Sequence, residues 1–495
     1  MIAEASTLLK TLLATGLIAA FAPLLLSSYR RWMIVGTFLS IFAFFVESLS
    51  ITYFYIHGGR VAWTMMYIGF IDISFSIEPF GIVFLNLLAG LWMIAVLYSF
   101  FYMRAMRDLT YSKFLTLLGL AIFASSIIAL ASNLFVMFIG YETLTLITIP
   151  LVAHYGMHND QVMRYIRILI FSSVGMLLPF IFLVQFYVGN TQFALDSSLG
   201  GNIGYYMGHF LLFLTIFGIA KTPLYPLYHW LPAAMVAPYP ASALLHAVAV
   251  VKAGLFCIFK IIIYIFGIDY VSNLISEFNW PLIIAIFTML YASYKGAKHD
   301  TIKNVLAYST MSQLALALVA AFIFTEKSMA AAITHMISHS FAKIVLFFVA
   351  GRFYASIECS RIDQLKGLAY KLPAPTIFFM IASLSLVGFP LLAGSYSKNL
   401  IFEAILTHKY GYWILVSIII STLCTAWYLG KIIYNLFSVA ENEVFVESAD
   451  THSIFARFHK ANSFAMDGSI AMCCICIAAF PIVERFLSSI LWGIL

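Results

Sequence analysis

Long apolar runs recur along the whole chain, separated by short polar loops. About 20 mostly apolar residues are enough for a helix to cross the hydrocarbon layer of a bilayer. Fourteen runs of this kind stand out. Their cores lie at 7–28, 32–56, 79–103, 112–129, 132–153, 165–189, 205–222, 240–266, 279–294, 303–325, 329–351, 374–407, 412–438 and 464–493. They are continuous, whereas membrane-barrel strands alternate over about ten residues. Strands are therefore not expected, and the pattern predicts an all-α polytopic membrane protein. With no long hydrophilic stretch between the runs, one membrane domain is expected over 1–495. Within it, residues 1–109 hold three N-terminal helices, 110–266 and 267–440 hold two repeats, and 441–495 hold a C-terminal helix.

Two runs are interrupted. The seventh meets Lys221-Thr222-Pro223 and continues through Pro226, Pro232, Pro238 and Pro240. The twelfth carries Gly388-Phe389-Pro390 and Gly394. Proline and glycine free backbone groups, and irregular backbone survives at membrane depth only where it is buried in protein or faces water. The breaks lie five runs apart. An odd offset places runs 4–8 and 9–13 in opposite directions, as two inverted five-helix repeats. Each break also sits beside a lysine, Lys221 or Lys398.

The loops divide by charge. Alternate loops, beginning after the first run, hold Arg30, Arg31, Arg104, Arg107, Lys113, Arg164, Arg167, Lys295, Lys298, Lys303, Arg352, Arg361, Lys366, Lys371, Arg457 and Lys460. The opposite set holds Arg60, Lys327 and Lys409. Basic residues collect in loops that stay on the cytoplasmic side. The asymmetry supports the count of fourteen and predicts a multi-pass protein of the cell (inner) membrane with both termini on the outer (periplasmic) side. The first run does not read as a cleaved signal peptide, because Lys10 interrupts its start and Arg30 and Arg31 follow it.

Composition agrees. Of 495 residues, 63% are hydrophobic and 10% charged, against roughly 25% charged in a soluble domain. The net charge of +6 is scattered at helix ends and does not form a nucleic-acid-binding patch. Cys473, Cys474 and Cys476 lie in an apolar run and read as ordinary small apolar residues rather than cluster ligands.

Against this background the charges inside the runs are costly, a few kcal/mol or more each. They are Glu142, Lys221, His246, Lys252, His335, His339, Lys343 and Lys398. His335, His339 and Lys343 are spaced by four, which stacks them on one helix face. Burial disfavours a charged lysine, and a nearby carboxylate restores the charge. A lysine that alternates between these surroundings can take up and release a proton, and a series joined by histidine and water is a proton wire. Three further residues have other readings. Lys260 is expected to snorkel from a helix end. Lys431, deep in the thirteenth run, fits either a structural ion pair or the row. Glu47 fits either a structural pair or a partner-facing role. No phosphate-binding glycine loop, nucleophile elbow or zinc-binding histidine pair is present, and nothing reads as a haem or flavin site. His229, in the proline-rich segment, reads as positional.

The stretch from Lys221 to Met235, Lys221-Thr222-Pro223-Leu224-Tyr225-Pro226-Leu227-Tyr228-His229-Trp230-Leu231-Pro232-Ala233-Ala234-Met235, resembles the central signature of the antiporter-like subunits of respiratory complex I. So do the stretch from Ser242-Ala243-Leu244-Leu245-His246 to Lys252-Ala253-Gly254, the stretch Leu306-Ala307-Tyr308-Ser309-Thr310-Met311-Ser312-Gln313, and His339-Ser340-Phe341-Ala342-Lys343. Relatives of that family include Mrp cation/proton antiporters and membrane-bound hydrogenases. The resemblance implies fourteen helices with two inverted repeats. It also implies a Glu142–Lys221 pair in the first half, a central Lys252, links through His335, His339 and Lys343, and a terminal Lys398. At these motifs the chain looks most like the chain 5 type. Lys398 stands where the chain 4 type usually has glutamate, and the spacing of His246 and Lys252 departs from the chain 2 type. The long C-terminal lateral helix of the chain 5 type and the extra C-terminal region of the Mrp large subunit are not expected here. Tyr141 in place of a common tryptophan and the loose Ser340-Phe341-Ala342 run mark a divergent or accessory paralogue.

The implied function is a proton-translocating, non-redox subunit of a complex I-type NADH–quinone oxidoreductase or related complex. It would bind no cofactor itself, and its partners would be other membrane subunits, protons and the lipid bilayer. The alternative is a subunit of an Mrp-type Na+/H+ antiporter.

Overall fold

The computed structural model describes residues 2–29, 32–69, 71–156, 160–193, 199, 203–438, 454–482 and 484. Arg30, Arg31 and the expected end of the fourteenth run at 485–493 lie outside the described residues. The first six runs form α1 (Ile2–Leu25), α2 (Met33–Ile56), α3 (Pro79–Ala105), α4 (Tyr111–Leu130), α5 (Leu134–Val152) and α6 (Asp160–Val188). The seventh forms α7 (Tyr205–Gly218), followed by irregular chain and short turns up to Val236. Then come α8 (Tyr239–Phe266), α9 (Trp280–Lys298), α10 (Ile302–Ala321) and α11 (Glu326–Ile357). The twelfth run is split into α12 (Pro373–Val387) and α13 (Ala393–Leu406), and α14 (Gly411–Phe437) and α15 (Ile454–Ala478) complete the bundle. Among the described residues, ten helices are long and apolar enough to cross a membrane, and α7, α12 and the Asn462–Ala478 part of α15 are shorter apolar helices.

The helices sort by how they are covered. The apolar sequence of α8 runs all round the helix, so it has no polar face to give to solvent and lies wholly inside the bundle. By contrast, α2 and α14 bury one stripe and expose the other. On α14 the outward stripe includes Trp413, Leu423 and Trp427. Exposed apolar surface on this scale fits lipid or a neighbouring membrane chain. Polar side chains join helices inside the bundle: the hydroxyls of Ser293, Ser312 and Ser421 from α9, α10 and α14 lie 2.7–3.0 Å apart.

The two ends of the bundle differ. One gathers the basic loops, tied by Asp108 to His154 at 2.8 Å and by Asp300 to Lys431 at 3.0 Å. The other carries a feature that the all-α reading did not expect. Strands β1 (Ala62–Ile68) and β2 (Ile71–Ser76) pair antiparallel in the loop between α2 and α3, with Gly69 in the left-handed region at the turn. These strands are too short to register as spans. Asn133 Nδ2 donates to Asp72 O at 2.8 Å and fastens the hairpin to the α4–α5 turn, while its Oδ1 caps α5 by accepting from Val136 N at 2.9 Å.

Candidate functional site

Both expected breaks are present, and each solves its backbone problem locally. At the first, Trp230 Nε1 donates to Ala220 O at 2.7 Å, Lys221 N donates to Tyr141 Oη at 3.1 Å, and Tyr225 N donates to Thr288 Oγ1 at 3.1 Å. Side chains thus replace the helical partners that Pro223 and Pro226 prevent. At the second, Gly388 takes a positive φ of 97° and ends α12 in a Schellman motif. Gly388 N donates to Ser385 O at 3.1 Å and Phe389 N to Leu384 O at 2.9 Å. Gly394 brings the two halves together, since a Cβ there would lie 1.7 Å from Ser385 O.

Lys221 is fully buried. Its Nζ donates to Tyr141 O at 2.7 Å and Thr145 Oγ1 at 2.6 Å, and lies 3.1 Å from the centroid of the Tyr141 ring. The expected ion pair with Glu142 is not closed: no contact within 4.0 Å joins the two groups, and Glu142 Oε1 is buried without a hydrogen-bond partner. The ammonium has been drawn instead onto the carbonyl and hydroxyl of the helix turn beside Glu142. These are the groups that compete with the carboxylate for it.

The second group is spread over α8, α11 and α13. Lys252 of α8 is hydrogen-bonded through Nζ to His339 Nδ1 of α11. One turn away, the His335 ring lies 6.3 Å from that of His339, and its Nδ1 is 3.0 Å from Ser397 Oγ of α13. Ser338 Oγ donates to the same Ser397 at 3.0 Å. The next residue, Lys398, donates to Val387 O at 2.9 Å, capping the last carbonyls of α12, where a helix end favours a cation. On the other side, Lys343 donates to Leu306 O at 3.2 Å, and the His246 ring packs 4.9 Å from Phe347, one turn beyond Lys343. His246 lies on a π-helical turn, Leu244–Val248, and neither ring nitrogen has a partner. Nε2 of both His335 and His339 is also buried without a partner. An imidazole bonded at one nitrogen and open at the other can accept a proton on one side and release it on the other.

Between the two groups stands α8. Gly254 sits against the first break, where a Cβ would lie 2.6 Å from Thr222 N. Lys252 and Gly254 face nearly opposite sides of the helix. Among the described residues, no direct hydrogen bond links Lys221 to Lys252.

Lys431 is not deep: its side chain is 38% exposed and paired with Asp300. Lys260 does not snorkel. It is fully buried, 3.2 Å from Glu78 Oε2, and donates to Ala131 O at 2.6 Å. Glu47 stands apart from the row and accepts from Thr15 Oγ1 at 2.5 Å. Sequence reasoning missed Glu78, Thr145 and Ser397. Serine and threonine recur too often in these helices to signal a role, and Glu78 sits at a helix start, where a carboxylate is commonplace.

The transmembrane family described as NADH:quinone oxidoreductase/Mrp antiporter matches residues 131–425. NADH-ubiquinone oxidoreductase chain 5 of Geomys personatus is 27% identical over 85% of this chain and 69% of its own length. NADH-quinone oxidoreductase subunit L of Buchnera aphidicola subsp. Acyrthosiphon pisum (strain APS) is 31% identical over 74% of this chain and 59% of its own. The chain thus spans about three-fifths to two-thirds of these relatives. A structure of the Mrp complex from Dietzia sp. DQ12-45-1b aligns with a TM-score of 0.78 at 20% identity, covering 98% of this chain and 51% of the other, which shows a shared fold.

Proposed function

The chain belongs to the NADH:quinone oxidoreductase/Mrp antiporter transmembrane family, and on that premise we propose that it moves protons as a non-redox membrane subunit of a larger complex I-type assembly. The observation that carries this reading is the buried succession Lys252–His339–His335–Ser397 leading to Lys398, contributed by three helices. Isolated charges at membrane depth are expensive. A set in which two histidines on one helix face stand between lysines of two other helices, with open nitrogens between bonded ones, is arranged to pass a proton along. The relatives from Geomys personatus and Buchnera aphidicola are a chain and a subunit of NADH–quinone-type oxidoreductases, which supports the same class of assembly.

In this mechanism Lys221 has two resting places. Beside ionised Glu142 it holds its proton. Turned to Tyr141 O and Thr145, as found here, it has exchanged a carboxylate for neutral dipoles and holds the proton less tightly. The released proton passes round α8 to Lys252, then through His339 and His335 to Lys398 and the outer face. His246 and Lys343 flank the relay and supply alternative acceptors. The two broken helices belong to two inverted repeats, the termini face the outside of the cell membrane, and neighbouring subunits supply the redox cofactors.

The test is proton flux in proteoliposomes holding the intact purified complex. Flux that requires an electron donor and is indifferent to Na+ supports the reading. Flux that requires Na+ and no electron donor would replace it with Na+/H+ antiport of the Mrp kind. The family's description and the Mrp fold likeness keep that second reading in view.

A further inference from the structure

A cavity of about 450 Å³ opens beside the proline-rich segment that follows the first break, at the basic end of the bundle. Its lining includes Arg164 of α6, His229 of the break segment, and His299, Lys303 and Asn304 around the start of α10. Among the described lining residues none is acidic. The row of buried lysines does not use this cavity, and its charge is wrong for an intake of protons or Na+. A concave site of one sign depletes ions of that sign and concentrates the opposite one.

The donors around it converge. Lys303 Nζ gives two of its three hydrogens to Met235 O at 3.1 Å and Ala237 O at 2.5 Å, so its charge is fixed in place at the wall. It also lies 4.3 Å from the centroid of the Tyr239 ring. The α10 helix starts here without a side-chain cap from Thr301. The amides of Lys303 and Asn304 therefore have no helical acceptor, and the positive end of a 20-residue helix meets the cavity. Arg164 is exposed and supplies a planar fork suited to two oxygens of one phosphate. Basic cavities between membrane helices at the end rich in Lys and Arg are suited to phosphate head groups.

We propose that this cavity binds a phosphate-ester anion, either the head group of an anionic phospholipid or a soluble phosphate compound. The bound anion would bridge α6, the break segment and α10. Through Lys303 and the carbonyls of Met235 and Ala237 it would hold the segment that carries Lys221 into α8.

The test uses the full chain in its purified complex in neutral detergent. The thermal midpoint is followed while diphosphatidylglycerol, phosphatidylcholine or inorganic pyrophosphate is added, and bound lipid is read by native mass spectrometry. The comparison variant is Arg164→Gln with His229→Gln; both side chains are exposed, so the core is untouched. Losing a charged hydrogen bond to phosphate weakens binding by about tenfold or more. The expected result is a rise in midpoint with an anionic species, shifted about tenfold to higher concentration in the variant and largely restored by Arg164→Lys. A rise with diphosphatidylglycerol alone identifies a membrane head group, and a rise with pyrophosphate alone identifies a soluble anion. No rise with either, an equal rise with phosphatidylcholine, or an unchanged response in the variant overturns the proposal.

Discussion

Gly254 offers a sharp test of how the first break is held. It lies two residues beyond Lys252, where α8 crosses the irregular chain at Lys221-Thr222. A Cβ at this position would lie 2.6 Å from Thr222 N, 2.6 Å from Thr222 Oγ1 and 2.8 Å from the Lys221 carbonyl carbon. Ordinary contact begins near 3.4 Å, so alanine needs a separation of about 0.8 Å. Two of the three obstacles are backbone atoms, and that backbone is pinned by Tyr141 and Trp230. Over-packing of this kind costs about 1–3 kcal/mol. The functional effect should be larger, because displacing a reacting group by about 1 Å can cost on the order of 100-fold in rate. Gly254→Ala is therefore expected to lower thermal stability moderately and proton flux severely in the reconstituted complex. Adding Thr222→Ala removes only the hydroxyl contact and should restore little of either. Wild-type flux in Gly254→Ala, or full rescue by Thr222→Ala, would refute the claim that backbone packing on α8 sets the position of Lys221.

Other consequences follow from buried charge and backbone geometry. Breaking the Glu78–Lys260 pair with Glu78→Gln or Lys260→Met alone should destabilise the folded chain by about 3–5 kcal/mol, and the double variant should recover most of it; equal loss in single and double variants would contradict this in a denaturation series. Gly388→Ala places a side chain at a φ of 97° with its Cβ 3.0 Å from Lys398 Cδ, so it should cost about 1–3 kcal/mol and slow flux, whereas Gly430→Ala, which meets no atom within 4 Å, should leave flux unchanged. At the basic end, burial pushes the Asp108 carboxyl up, but hydrogen bonds from His154 and Thr110 outweigh it and hold the carboxyl below its usual range. A lowered folded value adds stability that is present above the unfolded value of about 3.9 and is lost as pH falls through the folded one. Asp108→Asn should therefore shrink the acid limb of a stability–pH profile while changing its slope near neutrality little.

Much of this architecture could be read from the pattern of apolar residues. The spans followed from run length, and the breaks followed from proline and glycine beside lysine. The spacing of His335, His339 and Lys343 placed them on one face without any knowledge of the partner helix. What could not be read depends on distant contacts. Lys260 looked free to snorkel because it lies near the end of α8. That end is covered by the start of α3 and the α4–α5 turn, and its partner Glu78 is far away in sequence. Lys431 looked deep because α14 is 27 residues long, more than a bilayer needs, so its last turns reach the polar end. The Glu142–Lys221 pair was implied by the family resemblance. Charge does not reveal that Tyr141 O and Thr145 Oγ1 lie within reach of the same ammonium and compete for it.

The central claim is that the buried row carries protons, and Lys252 is its most exacting member because it joins α8 to the histidines of α11. Proton translocation should be measured in proteoliposomes of the intact complex carrying Lys252→Ala, and separately Lys221→Ala, with assembly verified by the subunit composition of the purified complex. Loss of translocation by this subunit in both, with assembly intact, is the predicted result. Unchanged translocation in both would contradict the mechanism.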